Sequence, residues 1–364
     1  MQLSSTLSWL VDAAHEAAGA DRLLAEFGEH LIGDGLPLAG GALTLAVPHP
    51  LIARRTWLWR AATGEVIEAL GFAPAGPLSA LQEGPPNDGG RRWLAGLADG
   101  PVHEDRVGLR PDGPSLCWIG PRPFAPDEAD ELRQAARFAA APLAVLAGRD
   151  TLSAALDAYL GRRSAARVRL APLRRDVGET IEAALLFADL RGFTVLSETH
   201  PPSEVIAALN AWFDRIAGAV HAFGGEVLKF IGDGVLAIFP IIGESPRAAC
   251  NAALRAASAA RMGMAHLDKE RAKQGLAPLP FGVALHLGEI FWGNIGAADR
   301  LDFTAIGPAV NLASRLEGLC RPLQKTILVS GTLATQAEMP LLALGTHGLR
   351  GIASPCAVFT LPED

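Results

Sequence analysis

No uninterrupted apolar run in this sequence reaches the ~18–20 residues that a membrane-spanning helix requires. The opening Met1-Gln2-Leu3-Ser4 also lacks the basic flank of a secretory signal. The chain is therefore expected to be soluble and cytoplasmic. Cysteine is scarce: Cys117, Cys250, Cys320 and Cys356 stand far apart with no CxxC pair. That spacing suggests neither a zinc ribbon nor a disulfide framework and assigns the four thiols to buried apolar positions. Tyr159 is the only tyrosine, and it lies beyond the N-terminal region, which argues against a flavin photoreceptor with a pocket tyrosine there. Cys117-Trp118 likewise lacks the Asn-Cys-Arg-Phe wording of flavin-adduct photoreceptors. Positive charge is in deficit, with a formal net charge of −7, so wholesale nucleic-acid binding is disfavoured.

What is present is enough chain for about two domains: 364 residues, 49% of them hydrophobic. Charge divides them unevenly. Residues 1–150 hold 12 basic and 19 acidic side chains, whereas residues 151–364 hold 20 of each. We divide the chain into a regulatory or sensor region over 1–148, a helical and basic linker over 149–177, and a third region over 178–364. There is no internal repeat.

The first region reads as α+β. Apolar periodicity predicts helices near 4–18 and 21–32, and strand-like runs occupy Leu43–Val47, Thr56–Arg60, Val66–Leu70 and Leu116–Gly120. Gly84 to Gly90 reads as a flexible turn, and a helix is expected from Pro126 to Ala147 with a buried or dimer-forming stripe. A second short helix over 149–160 leads into Arg162, Arg163, Arg167, Arg169, Arg174 and Arg175. That run suits a solvated linker or a source of positive potential near an anionic substrate.

The third region is better punctuated. Ile181–Ala188 is dense enough in apolar residues to be a central strand, and it stops at Asp189. A helix from Ser203 presents Val205, Ile206, Leu209, Phe213, Ile216 and Val220, and Gly224-Gly225 ends it. Glu226–Phe230 and Val235–Phe239 form a hairpin around an Asp233-Gly234 turn. A further helix spans 246–274. Phe281–Leu287 and Ile290–Ile295 read as a second hairpin about Gly288-Glu289, and Val310–Leu319 is helical.

Asp189 at a strand end and Asp233 at a hairpin tip would converge if their strands are neighbours. Paired hard oxygen ligands of that kind hold Mg²⁺ with substrate phosphates. Turn formation and capping explain each aspartate equally well when it is taken alone. The surrounding motifs decide. Phe187-Ala188-Asp189-Leu190-Arg191-Gly192-Phe193-Thr194 and Lys229-Phe230-Ile231-Gly232-Asp233-Gly234 resemble the class III nucleotidyl cyclase family. The resemblance continues through Gly282 to Gly288, Gly293-Asn294-Ile295-Gly296 and Thr304 to Glu317, over about 178–361.

This resemblance implies a ferredoxin-like α+β catalytic domain that makes 3′,5′-cyclic nucleotide from nucleoside triphosphate. It implies that Asp189, Asp233 and the backbone carbonyl of Leu190 bind two Mg²⁺ or Mn²⁺ ions, and that Asn311 and Arg315 serve the ribose and the α-phosphoryl oxygens. Asn311 and Arg315 are four residues apart and so share a helix face. Lys229 and Thr304 match the purine-reading positions, where a Lys donor and a Thr hydroxyl suit adenine N1 and its amine better than guanine. ATP is thus the implied substrate, with guanylate cyclase activity or a silent dimerisation partner as alternatives. The Thr304 version is similar to the bicarbonate-responsive bacterial subgroup. Arg350 stands where the family often has a triphosphate-binding Lys, and Pro308 where Asp or Asn is common. The proton acceptor stays open between water and substrate. In the family each site draws on two protomers, so a homodimer is implied.

For the first region, GAF- or PAS-type sensor architecture is expected, with an unidentified small-molecule or protein regulator. Trp57, Trp59, Trp93 and Trp118 could line a pocket or pack a core, and His49 and His103 could ligate haem or be ordinary residues.

Overall fold

The computed structural model describes residues 4–46, 52–72, 88–108, 113–243 and 245–362. It divides into two compact units, Met1–Ala155 and Leu156–Asp364. Among the described residues no helix is long and apolar enough to cross a membrane.

In the first unit α1 (Ser5–Asp12), a short 3₁₀ turn (Ala14–Glu16) and α2 (Ala20–Gly33) precede β1 (Gly40–Ala46), β2 (Ile52–Arg60) and β3 (Val66–Phe72). Then come α3 (Asp88–Ala95), β4 (His103–Arg106), β5 (Ser115–Ile119), α4 (Pro126–Phe138) and α5 (Ala140–Leu160). The five strands form an antiparallel sheet in the order β3-β2-β1-β5-β4. Strand alternation splits the core in two. Leu43, Trp57, Trp59, Leu116 and Trp118 pack against α1, α2, α4 and α5 on one face. Ala42, Leu58, Cys117 and Ile119 meet Leu94 of α3 on the other. This is the expected α+β class with boundary corrections. Asp88–Gly90 begin α3 instead of continuing a turn, while residues 84–87 lie outside the described residues. The helix expected over 126–147 breaks at Ala139, and its second part runs on without interruption to Leu160.

The second unit opens with α6 (Arg162–Leu170), so the basic stretch is largely a helix. Its Ser164 and Ala165 are buried, and Arg163 Nη1 donates to the Gly224 carbonyl. Then follow β6 (Gly178–Leu190), α7 (Phe193–Thr199), α8 (Pro202–Ala222), β7 (Glu226–Ile231), β8 (Gly234–Pro240), α9 (Pro246–Lys273) and β9 (Phe281–Gly296). The remainder comprises β10 (Leu301–Ile306), α10 (Pro308–Glu317), β11 (Ile327–Ser330), α11 (Gly331–Ala334), β12 (Leu342–His347) and β13 (Cys356–Thr360).

The segment β6-α8-β7-β8-α9-β9 is the βαββαβ unit of a ferredoxin-like fold, with its strands in the spatial order β9-β6-β8-β7. Helices α8 and α9 cover one face through Trp212, Ile216, Ala253, Leu254 and Met264. On α8 the buried stripe is Val205, Ala208, Trp212, Ile216 and Val220, while Ile206 is exposed. The other face carries β10 and α10, with Trp292, Phe303, Ala309 and Ala313 at its centre.

The hairpin expected around Gly288-Glu289 is absent. β9 is a single 16-residue strand that pairs with β6 from Gly178↔Gly293 to Leu190↔Phe281, and the turn falls after Gly296, where β10 folds back on it. A Gly-Glu pair is a weak turn signal when the neighbouring strand β6 pairs straight through it, at Ala183↔Gly288 and Glu182↔Glu289.

Candidate active site

Register brings the two aspartates together. The β6–β8 ladder ends at Ala188↔Val235, so Asp189 and Leu190 extend beyond it, alongside the β7–β8 turn. That turn is Gly232-Asp233, closed by the pair Ile231↔Gly234, and not the Asp-Gly turn expected. Gly232 has φ +64°, which a glycine adopts freely at the first position of a two-residue hairpin loop. The Asp233 carbonyl accepts a 2.9 Å hydrogen bond from the buried Trp212 indole, which pins the tip to α8. A side chain at position 234 would begin 3.1 Å from the Ile231 carbonyl oxygen, a tight approach across the turn, and 3.6 Å from Asp189 Oδ1.

The Asp189 and Asp233 carboxyl groups are close enough to share a hydrogen bond. Burial, the neighbouring Asp233 charge and the more distant Glu317 push the Asp189 carboxyl up to about 7. Glu317 is a third carboxylate that sequence reasoning did not single out. It ends α10, and its Oε1 occupies the place where a side chain at Gly282, the register partner of Asp189, would begin. Burial raises its pKa, while the nearby Arg191 guanidinium opposes the rise. Arg191 donates through Nη2 to the Lys325 carbonyl at 2.6 Å.

A divalent cation fits this arrangement chemically. The donors are hard carboxylate oxygens crowded enough to hold one another's charge back, and the Leu190 carbonyl lies at the same strand end. Among the described residues no three or more His, Cys, Asp or Glu side chains converge on one position, so phosphate oxygens or water would complete any coordination sphere.

A second group forms on the sheet face towards β10. Lys229 of β7 makes an ion pair with Asp302 of β10, and Thr304 follows two residues later, buried. Phe230, Ile231 and Ile306, beside these residues, are each about half exposed despite being apolar. Asn311 and Arg315 are both exposed on α10, whose Ala309, Ala313 and Leu316 face the core. Neither has a side-chain hydrogen bond among the described residues. Arg350 is exposed in the β12–β13 connection. Within one chain, then, Asp189 joins Asp233 and Lys229 joins Asp302, while among the described residues no hydrogen bond or ion pair links Asn311, Arg315 or Arg350 to the aspartates.

The other candidates resolve differently. Cys117, Cys250 and Cys320 are buried free thiols, and burial pushes each up to about 12. Trp59 and Trp118 are core residues in edge contact at 6.4 Å. His103 Nε2 lies 2.8 Å from Asp105 Oδ2. His49 lies outside the described residues.

Residues 177–343 match the family model for the adenylate and guanylate cyclase catalytic domain. An adenylate cyclase of Anabaena cylindrica is 33% identical over 165 residues, 44% of this chain and 32% of that protein. Adenylate cyclase 1 of Rhizobium meliloti is 31% identical over 180 residues, 49% of this chain and 27% of that one. The chain thus matches about a third of the length of these curated relatives. Among solved structures, a bacterial light-regulated adenylyl cyclase covers 72% of this chain and 84% of its own, with TM-score 0.53 and 23% identity, a likeness of fold.

Proposed function

Because residues 177–343 belong to the adenylate and guanylate cyclase catalytic domain family, we propose that this chain is an adenylate cyclase, converting ATP to 3′,5′-cyclic AMP and diphosphate. The observation that carries the reading is the convergence of Asp189 and Asp233 at one end of the central strands, where burial and the neighbouring Asp233 charge push the Asp189 carboxyl up to about 7. Two crowded carboxylates without a cation are a poor structural device and a good receptor for one.

Asp189, Asp233 and the Leu190 carbonyl would hold Mg²⁺ or Mn²⁺, two ions per site, whose charge favours ionisation of the ribose 3′-hydroxyl and neutralises the triphosphate. Lys229 donates to adenine N1, and the Thr304 hydroxyl accepts from the exocyclic amine. Asn311 orients the ribose. The guanidinium of Arg315 donates to the α-phosphoryl oxygens as negative charge builds there, and Arg350 offers its charge to the terminal phosphates. The 3′-oxygen bonds to the α-phosphorus, the bond to the bridging oxygen breaks, diphosphate departs, and the hydroxyl proton passes to water or to a substrate phosphate.

Each site is shared between two copies of the chain. Asn311 and Arg315 point to solvent without partners while apolar Phe230, Ile231 and Ile306 stand exposed next to the nucleotide-reading residues, which is the surface a second subunit would cover. The first unit then regulates the pairing, with an unidentified ligand or protein, or bicarbonate acting at the catalytic unit, as the stimulus.

The test is purified full chain with Mg²⁺ or Mn²⁺ and either ATP or GTP, with products separated chromatographically. Cyclic AMP should dominate, and Asp233→Ala should abolish it without unfolding the protein. Cyclic GTP-derived product in excess would replace the substrate assignment, and turnover by Asp233→Ala would remove the metal pair.

A further inference from the structure

We infer that Arg191 is a positioning residue whose guanidinium ties the loop after the β6 strand end to the turn that closes α10, and so holds Asn311 and Arg315 in place for the site in which they act. The inference rests on the shared-site reading proposed above, under which the two ends of this tie serve different sites of the dimer.

The tie is a series of three hydrogen bonds. Arg191 follows Leu190 directly, and its Nη2 donates at 2.6 Å to the Lys325 carbonyl, 134 residues further along the chain. The Lys325 amide donates at 3.0 Å to the Cys320 carbonyl, and the Cys320 amide donates at 2.7 Å to the carbonyl of Glu317, the last residue of α10. Gln324, just before Lys325, sits at φ +54°, a left-handed conformation that costs a residue with a side chain. A charged donor from outside the turn can secure that shape. Charge acts in the same direction. The Glu317 carboxylate stands at the C-terminal end of a helix, where an anion is disfavoured, and the Arg191 charge opposes that penalty.

The two ends of the tie are not equally secure without it. Backbone pairing fixes the metal side: the β6–β9 ladder runs through Asp189↔Gly282 to Leu190↔Phe281, and the Arg191 amide donates at 2.7 Å to the Pro280 carbonyl. Helix α10 has no such ladder. Its buried residues are Ala309, Ala313 and Leu316, and the two alanines have few atoms with which to interlock. Removing the guanidinium therefore frees the helix more than the metal loop. A donor that is present but displaced loses part of its effect on the transition state.

The experiment uses the full chain with Arg191→Met, which removes the donors, and Arg191→Lys, which keeps the charge. In homodimers Arg191→Met should lower kcat roughly tenfold with KM for ATP little changed, and Arg191→Lys should stay within about threefold of wild type. Arg191→Met added to Arg315→Ala should cost nothing further, as for residues that act through one another. The rise in thermal midpoint caused by Mn²⁺ should persist in both variants, because the metal loop keeps its ladder.

Placement in a mixed dimer separates the two ends. In heterodimers of Asp189→Ala with Arg315→Ala, the intact site takes Arg315 from the first chain and Asp189 from the second. Arg191→Met on the chain that supplies Arg315 should lower the recovered activity roughly tenfold, and on the chain that supplies Asp189 it should leave that activity within about twofold. Equal losses from both placements, or a loss confined to the chain that supplies Asp189, would overturn the positioning role. So would disappearance of the Mn²⁺ response in Arg191→Met. Silent heterodimers before Arg191 is changed would instead remove the shared-site reading, and the inference would fall with it.

Discussion

Replacing Asp189 by asparagine should stabilise the metal-free protein at pH 8 while destroying its activity. The carboxyl is pushed from 3.8 up to about 7 by burial and by Asp233. A folded-state pKa above the unfolded value favours the protonated form, so this contribution to stability is complete below pH 3.8 and is lost as pH rises through 7. The full shift corresponds to about 4 kcal/mol at ~1.36 kcal/mol per pKa unit. Asp189 is only partly buried, and solvent screening reduces the usable part to ~1–2 kcal/mol. Asparagine carries no charge at any pH and avoids that loss. For a unit of about 200 residues the gain is a midpoint ~2–8 °C higher. The assay is thermal unfolding followed by tryptophan fluorescence at pH 4, 6 and 8, in chelator and again with Mn²⁺. The variant should match wild type at pH 4 and exceed it at pH 8 in chelator. Mn²⁺ should raise wild type most, since a ligand that binds only the folded state stabilises it. An asparagine variant less stable than wild type at pH 8 in chelator, or one that gains equally from Mn²⁺, would refute the reasoning.

Arg315→Ala should lower kcat by ~10²–10³, the usual loss for a transition-state donor, and near-wild-type turnover would remove its role. Refolding or co-expressing Asp189→Ala with Arg315→Ala should recover up to about a quarter of wild-type activity, because half of randomly paired C₂ dimers are mixed and each has one intact site; silence in demonstrated heterodimers would mean that the site forms within one chain. His286 is buried with Nδ1 2.8 Å from Ser330 Oγ and 3.1 Å from Thr332 Oγ1, and burial lowers it to about 4. A depressed histidine gives stability that is complete above pH 6.5 and declines towards pH 4, here by up to ~3 kcal/mol. Urea unfolding in an Asp189→Asn background should show that decline, and His286→Asn should flatten it.

Much of the second unit could be read from the chain because its signals are local. Gly224-Gly225 after α8 and the apolar run of β6 owe little to distant residues. Boundaries failed where neighbours intervened. Gly288-Glu289 reads as a turn in isolation, yet it lies inside β9 because β6 supplies hydrogen-bond partners through that stretch. The arginine run reads as a solvated linker, but Ser164 donates through both its amide and its hydroxyl to the buried Glu226 and anchors α6 to the start of β7. Similarly, Ile206 fits an apolar stripe by type and is exposed, whereas the buried contact goes to Trp212. In the first unit most helices and strands were legible, but α3 and β4 were not, and nothing in four tryptophans and two histidines distinguishes a pocket from a core.

By itself the sequence determined the chemical repertoire, which is carboxylates as hard oxygen ligands, an ammonium and guanidinium groups as donors, and their order along the motifs, since these depend on residue type and on position in the chain. Only the tertiary structure decided which of them meet. Asp189 and Asp233 come together because the β6–β8 ladder ends one pair short of the turn. Glu317 turns towards Gly282, while Asn311 and Arg315, on the same helix, face solvent. Lys229 finds Asp302 across 73 residues of chain. Pairing across that distance is fixed by strand register and by which face of β10 is already committed to the core, and neither is written in any window of neighbouring residues.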